Sequence, residues 1–168
     1  MKTIGVIGLG VMATRMITNT MAYGGFRIGA AWDLDPEACK RASTLAPDIR
    51  IVEDPDALID DSRLDGIYIA SPPASHVDYA TAAITRGKPV LCEKPLGIDL
   101  EITRRMTETA VTSGVSNAVN FTFATAPAVT KLENALADGT VGKVAAVDIR
   151  LHFCKWPREW QLPATWLN

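Results

Sequence analysis

The sequence has few of the residues that metal sites and disulfide frameworks require. It contains three cysteines and two histidines among 168 residues. Cys39, Cys92 and Cys154 are odd in number and have no ligand-like spacing, so we predict reduced, structural cysteines in a cytoplasmic protein. His152 and Cys154 alternate onto one face of a predicted strand, which is typical of ordinary strand residues. We therefore expect no metal site.

Long apolar runs and an excess of basic charge are also missing. No stretch approaches the roughly 18 apolar residues of a membrane span, and the start lacks the pattern of a signal peptide. The net charge is −2 with scattered Lys and Arg, which gives no basic surface for nucleic acid. We expect neither a membrane nor a nucleic acid as a partner. The composition, 48% hydrophobic and 21% charged, is typical of a soluble globular domain.

A glycine-rich segment follows the first predicted strand. Residues 8–13 read Gly-Leu-Gly-Val-Met-Ala, the pattern G-x-G-x-x-A. In dinucleotide-binding folds the first glycine permits a tight turn, the second lets the backbone approach a pyrophosphate, and the small last residue lets the helix pack on the strand. The second predicted strand ends at Asp33, about 23 residues beyond Gly10, where an acid for the adenosine ribose is expected. The alternative is a glycine turn with a surface aspartate. We predict that a dinucleotide binds at Gly8, Gly10, Val11, Met12 and Asp33.

Apolar segments alternate with helical ones over the first 120 residues, which predicts a parallel sheet with helices on both faces. The predicted strands are residues 2–7, 27–32, 49–52, 66–70, 89–92 and 116–121. The predicted helices are residues 11–22, a helix opened by Asp35-Pro36, residues 55–60, 75–86 with a capping box at Ser75–Asp78, and 99–113. This is a Rossmann-type, doubly wound α/β fold over residues 1–120.

The remaining residues have a different pattern. Residues 127–137 are predicted to form a helix and residues 144–154 a long strand, followed by a tryptophan-containing segment with little periodicity. One helix and one strand cannot bury their apolar faces alone. We therefore expect residues 121–168 to be the incomplete start of a second, α/β substrate domain, with Val147, Ile149, Leu151 and Phe153 left exposed.

Glu93-Lys94-Pro95 follows the fifth predicted strand. Ligands of open α/β sheets bind beyond the carboxyl ends of the strands, so an ionisable pair at this position faces whatever the sheet binds. The alternative is a solvated charged turn.

Four motifs occur in one order along the chain: Gly8-x-Gly10-x-x-Ala13, Ser71-Pro72-Pro73-x-x-His76, Glu93-Lys94-Pro95 and Gly139-x-x-Gly142-Lys143. Together they resemble the glucose-fructose oxidoreductase, inositol dehydrogenase and rhizopine-catabolism family of NAD(P)-dependent oxidoreductases. The resemblance implies a Rossmann domain followed by an α/β domain that covers the cofactor and forms homo-oligomers. It also implies hydride transfer between nicotinamide and a sugar, cyclitol or related alcohol or ketone.

The resemblance also implies roles for individual residues. Lys94 matches the catalytic lysine beside the substrate hydroxyl, and Glu93 matches the acid near the nicotinamide ribose. Ser71, Pro72 and His76 match the segment that lines the nicotinamide side, although helix capping is an equal alternative for His76. Carboxylates at Asp33 and Asp35 would repel a 2′-phosphate, so NAD is expected over NADP.

Two departures from the family pattern stand out. Many relatives carry an aromatic-Arg pair before the proline that Pro127 matches, whereas here Phe123 is followed by Ala124, which makes polyanionic sugars less expected. The second catalytic signature of the family, with an acid and a histidine, is not found by Asn168. The alternative function is therefore a non-catalytic dinucleotide-binding module or a truncated, inactive family member. The sequence does not identify the substrate.

Overall fold

The computed structural model describes residues 1–150, 152–157 and 162. Six parallel strands form one sheet in the order β3-β2-β1-β4-β5-β6. The strands are β1 Lys2–Ile7, β2 Phe26–Trp32, β3 Arg50–Ile51, β4 Gly66–Ile69, β5 Val90–Glu93 and β6 Asn117–Asn120. The helices are α1 Val11–Tyr23, α2 Pro36–Leu45, α3 Pro55–Asp60, α4 His76–Thr85, α5 Leu100–Ser113 and α6 Pro127–Ala137, with a 3₁₀ turn at Pro73–Ser75. This strand order confirms the Rossmann-type sheet.

The apolar side chains divide between the two faces of the sheet, as the alternation of side chains along a strand requires. Ile67 and Ile69 of β4 face a cluster that includes residues of α3, α4 and α5. Tyr68, between them, belongs to the opposite cluster, which includes residues of α1 and α2. Helices therefore cover apolar residues on both faces of the sheet, and the carboxyl ends of the strands remain for a ligand.

Aspartates begin three of the helices, as predicted for Asp35 and Asp99. The side chains of Asp35, Asp54 and Asp99 accept hydrogen bonds from the amides of Glu37, Ala57 and Ile102. The predicted capping box at Ser75 is wrong. The Ser75 side chain makes no cap hydrogen bond, because its hydroxyl donates to the carbonyl of Pro72 at 2.9 Å within the 3₁₀ turn.

Residues 1–120 form one compact unit and residues 121–168 another. In the second unit α6 forms as predicted, but residues 144–150 and 152–154 form no strand. A strand needs a hydrogen-bonded neighbour, and no strand of the described part of this unit offers one. Val147, Ile149 and Phe153 are exposed, as expected, while Leu151 and the later tryptophans at 160 and 166 lie outside the described residues.

Within the described part of the chain, no helix is long and apolar enough to cross a membrane.

Candidate functional site

The loop between β1 and α1 has the geometry that its glycines predict. Gly8 has a φ of +89°, and a Cβ there would press on the backbone nitrogen of Ser71 and lie 2.6 Å from the carbonyl carbon of Ala70. Its amide donates to the carbonyl of Trp32 at 2.9 Å. Gly8 therefore brings the ends of β1, β2 and β4 together in a contact that no side chain would fit.

Gly10 differs from Gly8. Its φ is −73°, and a Cβ built there meets no atom within 4 Å, so the backbone faces open space. Gly10 is the N-cap of α1 and has no capping side chain, and no acidic residue lies in the first turn. Val11 is exposed, Met12 half-buried, and Ala13 fully buried against the sheet. An uncapped helix N-terminus beside an open backbone fits a phosphate group.

Asp33 fixes this loop in a way that the sequence did not predict. One carboxyl oxygen accepts a hydrogen bond from the amide of Leu9 at 2.5 Å, and the other accepts one from the amide of Asp35 at 2.8 Å. The side chain is half-buried at the end of β2. Each oxygen keeps a second acceptor position, so Asp33 can still bind a ribose hydroxyl.

Glu93 lies below the surface at the carboxyl end of β5 and is only 4% exposed. Its Oε1 accepts hydrogen bonds from the Tyr68 hydroxyl at 2.7 Å and from Nδ2 of Asn120 at 2.6 Å. Its Oε2 is buried with no hydrogen-bond partner among the described residues. The sequence analysis did not predict Tyr68 or Asn120 at this site. In the structure, β4 and β6 flank β5, and Asn120 is paired with Glu93, which brings both side chains beside the carboxyl group.

The groups around Glu93 are held in their neutral forms. Burial, and then the hydrogen bond to Glu93, raise the pKa of Tyr68 far above its ordinary value. Burial, with a smaller contribution from the Glu93 charge, raises the pKa of Cys92 to about 12. A thiol that is neutral and 1% exposed is unreactive, in agreement with a structural role for this cysteine.

Lys94 differs from its buried neighbour, because its side chain is exposed just beyond the end of β5. It makes no hydrogen bond or ion pair with any residue that the structure describes. The Lys94–Pro95 peptide bond is cis. The site therefore presents one available amine beside a buried carboxyl group.

His76 connects the ends of β4 and β5. Its Nε2 lies 2.7 Å from the carbonyl oxygen of Ser71, and its Nδ1 lies 2.8 Å from that of Pro95. The ring is 1% exposed, and both nitrogens already face backbone oxygens. The Ser71 hydroxyl, in turn, lies 2.8 Å from the hydroxyl of Ser75. The predicted site residues thus follow one another along a single edge, from Asp33 through the Gly8 loop and Ser71 to Lys94.

A groove of the sheet lies elsewhere, away from these residues. It has a volume of about 670 Å³ and lies against the amino ends of β1, β4, β5 and β6, with Lys2, Asp65, Pro89 and Ser116 at its border. Its lining is mainly apolar and includes Ile4, Met16 and Leu91. Ligands of this fold class bind at the opposite edge, so we do not place the chemistry in this groove.

Comparison with known proteins identifies the family. The model of an oxidoreductase family with an NAD-binding Rossmann fold matches residues 2–121. The chain belongs to this family. Membership confirms the predicted family, and the NAD-binding Rossmann fold of that family agrees with the prediction of NAD.

Individual relatives agree with this family assignment. Inositol 2-dehydrogenase 2 of Saccharopolyspora erythraea is 36% identical over 142 residues, which cover 83% of this chain and 42% of that protein. Glucose-6-phosphate 3-dehydrogenase of Bacillus subtilis is 30% identical over 156 residues, covering 92% and 43%. The crystal structure of an NAD-binding oxidoreductase from Klebsiella pneumoniae superimposes with a TM-score of 0.75 at 30% identity, covering 84% of this chain and 40% of that one. The matched segment covers about two fifths of the length of each of these two curated relatives.

Proposed function

We propose that the protein is an NAD-dependent oxidoreductase that acts on the CH–OH group of a sugar, cyclitol or related alcohol, or on the corresponding ketone. The observation that carries this proposal is the position of Lys94. It is an exposed amine at the carboxyl end of β5, directly after a buried acid, and the turn that follows it contacts His76. The glycine loop between β1 and α1 lies at the same edge of the sheet.

NAD, when bound, accepts or donates the hydride. The open backbone at Gly10 and the first-turn amides at Val11 and Met12 would receive its pyrophosphate. Gly8 holds that loop in place, and Asp33 would accept hydrogen bonds from the adenosine ribose hydroxyls.

On the nicotinamide side, Ser71 and Pro72 are proposed to line the site, with Glu93 near the ribose. A cofactor contact by His76 stays a prediction. Because both its ring nitrogens already face carbonyl oxygens, its clearest role is to join the two loops.

Among the residues of this chain, Lys94 is the one proposed to act on the reacting hydroxyl group. Oxidation of an alcohol leaves negative charge on its oxygen as the hydrogen departs, and a cation within hydrogen-bond reach stabilises that charge. A lysine at this position can also accept or return the hydroxyl proton. Glu93, whose carboxyl group is buried, does not compete with the substrate for the amine.

The matched relatives support a polyhydroxylated substrate. They include enzymes named as inositol 2-dehydrogenases and a glucose-6-phosphate 3-dehydrogenase. We propose a cyclitol or sugar as the substrate class, homo-oligomers formed through the sheet of the second domain, and a cytoplasmic location.

The test is a dehydrogenase screen of cyclitols and sugars with the longest natural polypeptide that contains this chain. The formation of NADH is monitored by its absorbance. Turnover with at least one polyol is expected. Lys94→Ala should then lower kcat by about two to four orders of magnitude while the affinity for NAD changes little. Lys94→Arg is the matched variant, since it keeps the cation and removes the ability to relay a proton. Wild-type turnover by Lys94→Ala would refute the role of this residue.

A further inference from the structure

Three buried or half-buried side chains meet at the carboxyl ends of three adjacent strands. Tyr68 of β4 and Asn120 of β6 both donate to the same oxygen, Oε1 of Glu93 on β5, at 2.7 and 2.6 Å. Tyr68 is 2% exposed and Glu93 is 4% exposed, so water does not substitute for these bonds. We call these three residues the three-strand clamp.

The clamp fixes the direction of the Glu93 carboxyl group. Hydrogen bonds are directional, and two donors from opposite neighbours on one oxygen leave the group little rotation. The sheet itself supplies the donors, since β5 is paired with β4 on one side and with β6 on the other. Glu93 is therefore held through the hydrogen-bonded strands of the sheet itself.

The clamp borders directly on Lys94. On the other side of Lys94, the carbonyl of Pro95 lies 2.8 Å from Nδ1 of the buried His76. The residues before and after Lys94 are thus both held by buried groups, whereas the Lys94 side chain bonds no residue of the described part of the chain. Such an arrangement holds the backbone and leaves only the amine free to act.

We propose that Tyr68 and Asn120 are positioning residues that act through Glu93 to set the point from which Lys94 reaches the substrate. This inference rests on the proposed function, because it takes Lys94 as the catalytic residue. Neither Tyr68 nor Asn120 needs to touch substrate or cofactor in this role.

The first variant is Tyr68→Phe, which removes one hydroxyl and keeps the ring in the core. Displacements of about 1 Å in a catalytic group cost up to about a hundredfold in rate, so we expect kcat to fall about tenfold. The KM for NAD should stay within about twofold. Tyr79→Phe is the control, because Tyr79 is a half-buried tyrosine that packs on Trp32, and its hydroxyl bonds no residue that the structure describes. Its turnover should equal that of the wild type.

The second variant tests the other donor. Asn120→Asp keeps the shape and replaces a donor with an acceptor facing Glu93, so it should lower kcat at least as much as Tyr68→Phe. Because Asn120 is only half-buried, this variant is suited to test the clamp if Tyr68→Phe folds poorly. Urea unfolding of each variant establishes that the folded protein is the species assayed.

A double-mutant cycle connects the clamp to the amine. In a Lys94→Ala background, Tyr68→Phe should lower kcat no further, because the group that it positions is gone. Two outcomes would overturn the inference: wild-type kcat in Tyr68→Phe and Asn120→Asp, or a raised KM for NAD with unchanged kcat, which would assign the clamp to cofactor binding. Failure of the proposed function itself is distinct, since it appears as no turnover of any polyol by the wild-type protein, whereas wild-type turnover by Lys94→Ala would overturn both the role of Lys94 and this inference.

Discussion

Alanine substitutions at three glycines separate the fold from the binding site. Gly8 has a positive φ and close backbone contacts, Gly24 has a positive φ of 70° with no neighbour within 4 Å, and Gly10 has neither constraint. Gly24 ends α1 through its amide, which donates to the carbonyl of Thr20 at 3.0 Å. Gly24 therefore tests backbone strain alone, Gly8 tests strain together with crowding, and Gly10 tests an open surface.

The expected losses in the free energy of unfolding follow from these differences. A left-handed alanine costs about 1–2 kcal/mol, which is the whole effect expected for Gly24→Ala. At Gly8 the new methyl group also meets the backbone at Ala70 and Ser71, and overpacking adds about 1–3 kcal/mol. Gly8→Ala should therefore lose about 2–5 kcal/mol, a large share of ordinary domain stability. Gly10→Ala should change stability by less than about 1 kcal/mol in either direction.

The loss of NADH affinity should not follow the loss of stability at Gly10 and Gly24. The methyl group of Gly10→Ala enters the space that the pyrophosphate is proposed to occupy, so we expect NADH to bind at least about tenfold more weakly. Gly24→Ala, whose substitution lies at the far end of α1, should bind NADH as the wild type does. Urea unfolding and NADH fluorescence titration give both quantities for each variant. Wild-type affinity in a folded Gly10→Ala protein, or wild-type stability in Gly8→Ala, would refute the reasoning.

Three further predictions concern charge and buried contacts. Repulsion between the Asp33 carboxylate and a 2′-phosphate should favour NAD binding over NADP binding by about 1–3 kcal/mol, and Asp33→Asn should narrow this difference. Competitive titration measures both affinities, and a wild type that binds NADP as tightly as NAD would contradict the prediction. Hydrogen bonds from Arg63 hold the pKa of Asp61 at about 2, below its ordinary 3.8, so the stabilisation is complete above about pH 5 and is lost progressively as the pH falls to about 1. The free energy of unfolding of the wild type should thus exceed that of Asp61→Asn by about 1 kcal/mol at pH 7, and most of this difference should be gone by about pH 2, whereas a pH-independent difference in urea unfolding would count against the pair. His76→Gln should lose about 1–3 kcal/mol of stability because it disturbs two buried carbonyl contacts, and an unchanged unfolding midpoint would contradict that role.

The sequence predicted the parts of the fold that depend on local pattern. The glycine turn, the aspartate caps at Asp35 and Asp99, and the alternation of strands and helices are local, and the structure contains all of them. The predicted strand does not form over residues 144–150 and 152–154, because pairing depends on a neighbour that local pattern does not supply.

The site shows the same division. The G-x-G-x-x-A loop and Glu93-Lys94-Pro95 are contiguous motifs, so the sequence alone indicated them. The partners of Glu93 come from strands 25 positions before and 27 positions after it, and only the strand order brings them together. Asp33 was predicted as a ribose ligand, but its hydrogen bond with the Leu9 amide depends on how β1 and β2 pair, which the sequence alone does not show.

The most direct test of the account is transfer of deuterium from a polyol to NAD. The longest natural polypeptide that contains this chain would be incubated with NAD and a cyclitol deuterated at its CH–OH carbons, and the reduced nicotinamide would be examined by proton NMR. We predict that deuterium appears on the nicotinamide ring with wild-type protein, and that Lys94→Ala forms the same product about a hundredfold or more slowly. Reduced nicotinamide without deuterium, or labelled product formed equally fast by Lys94→Ala, would contradict the account.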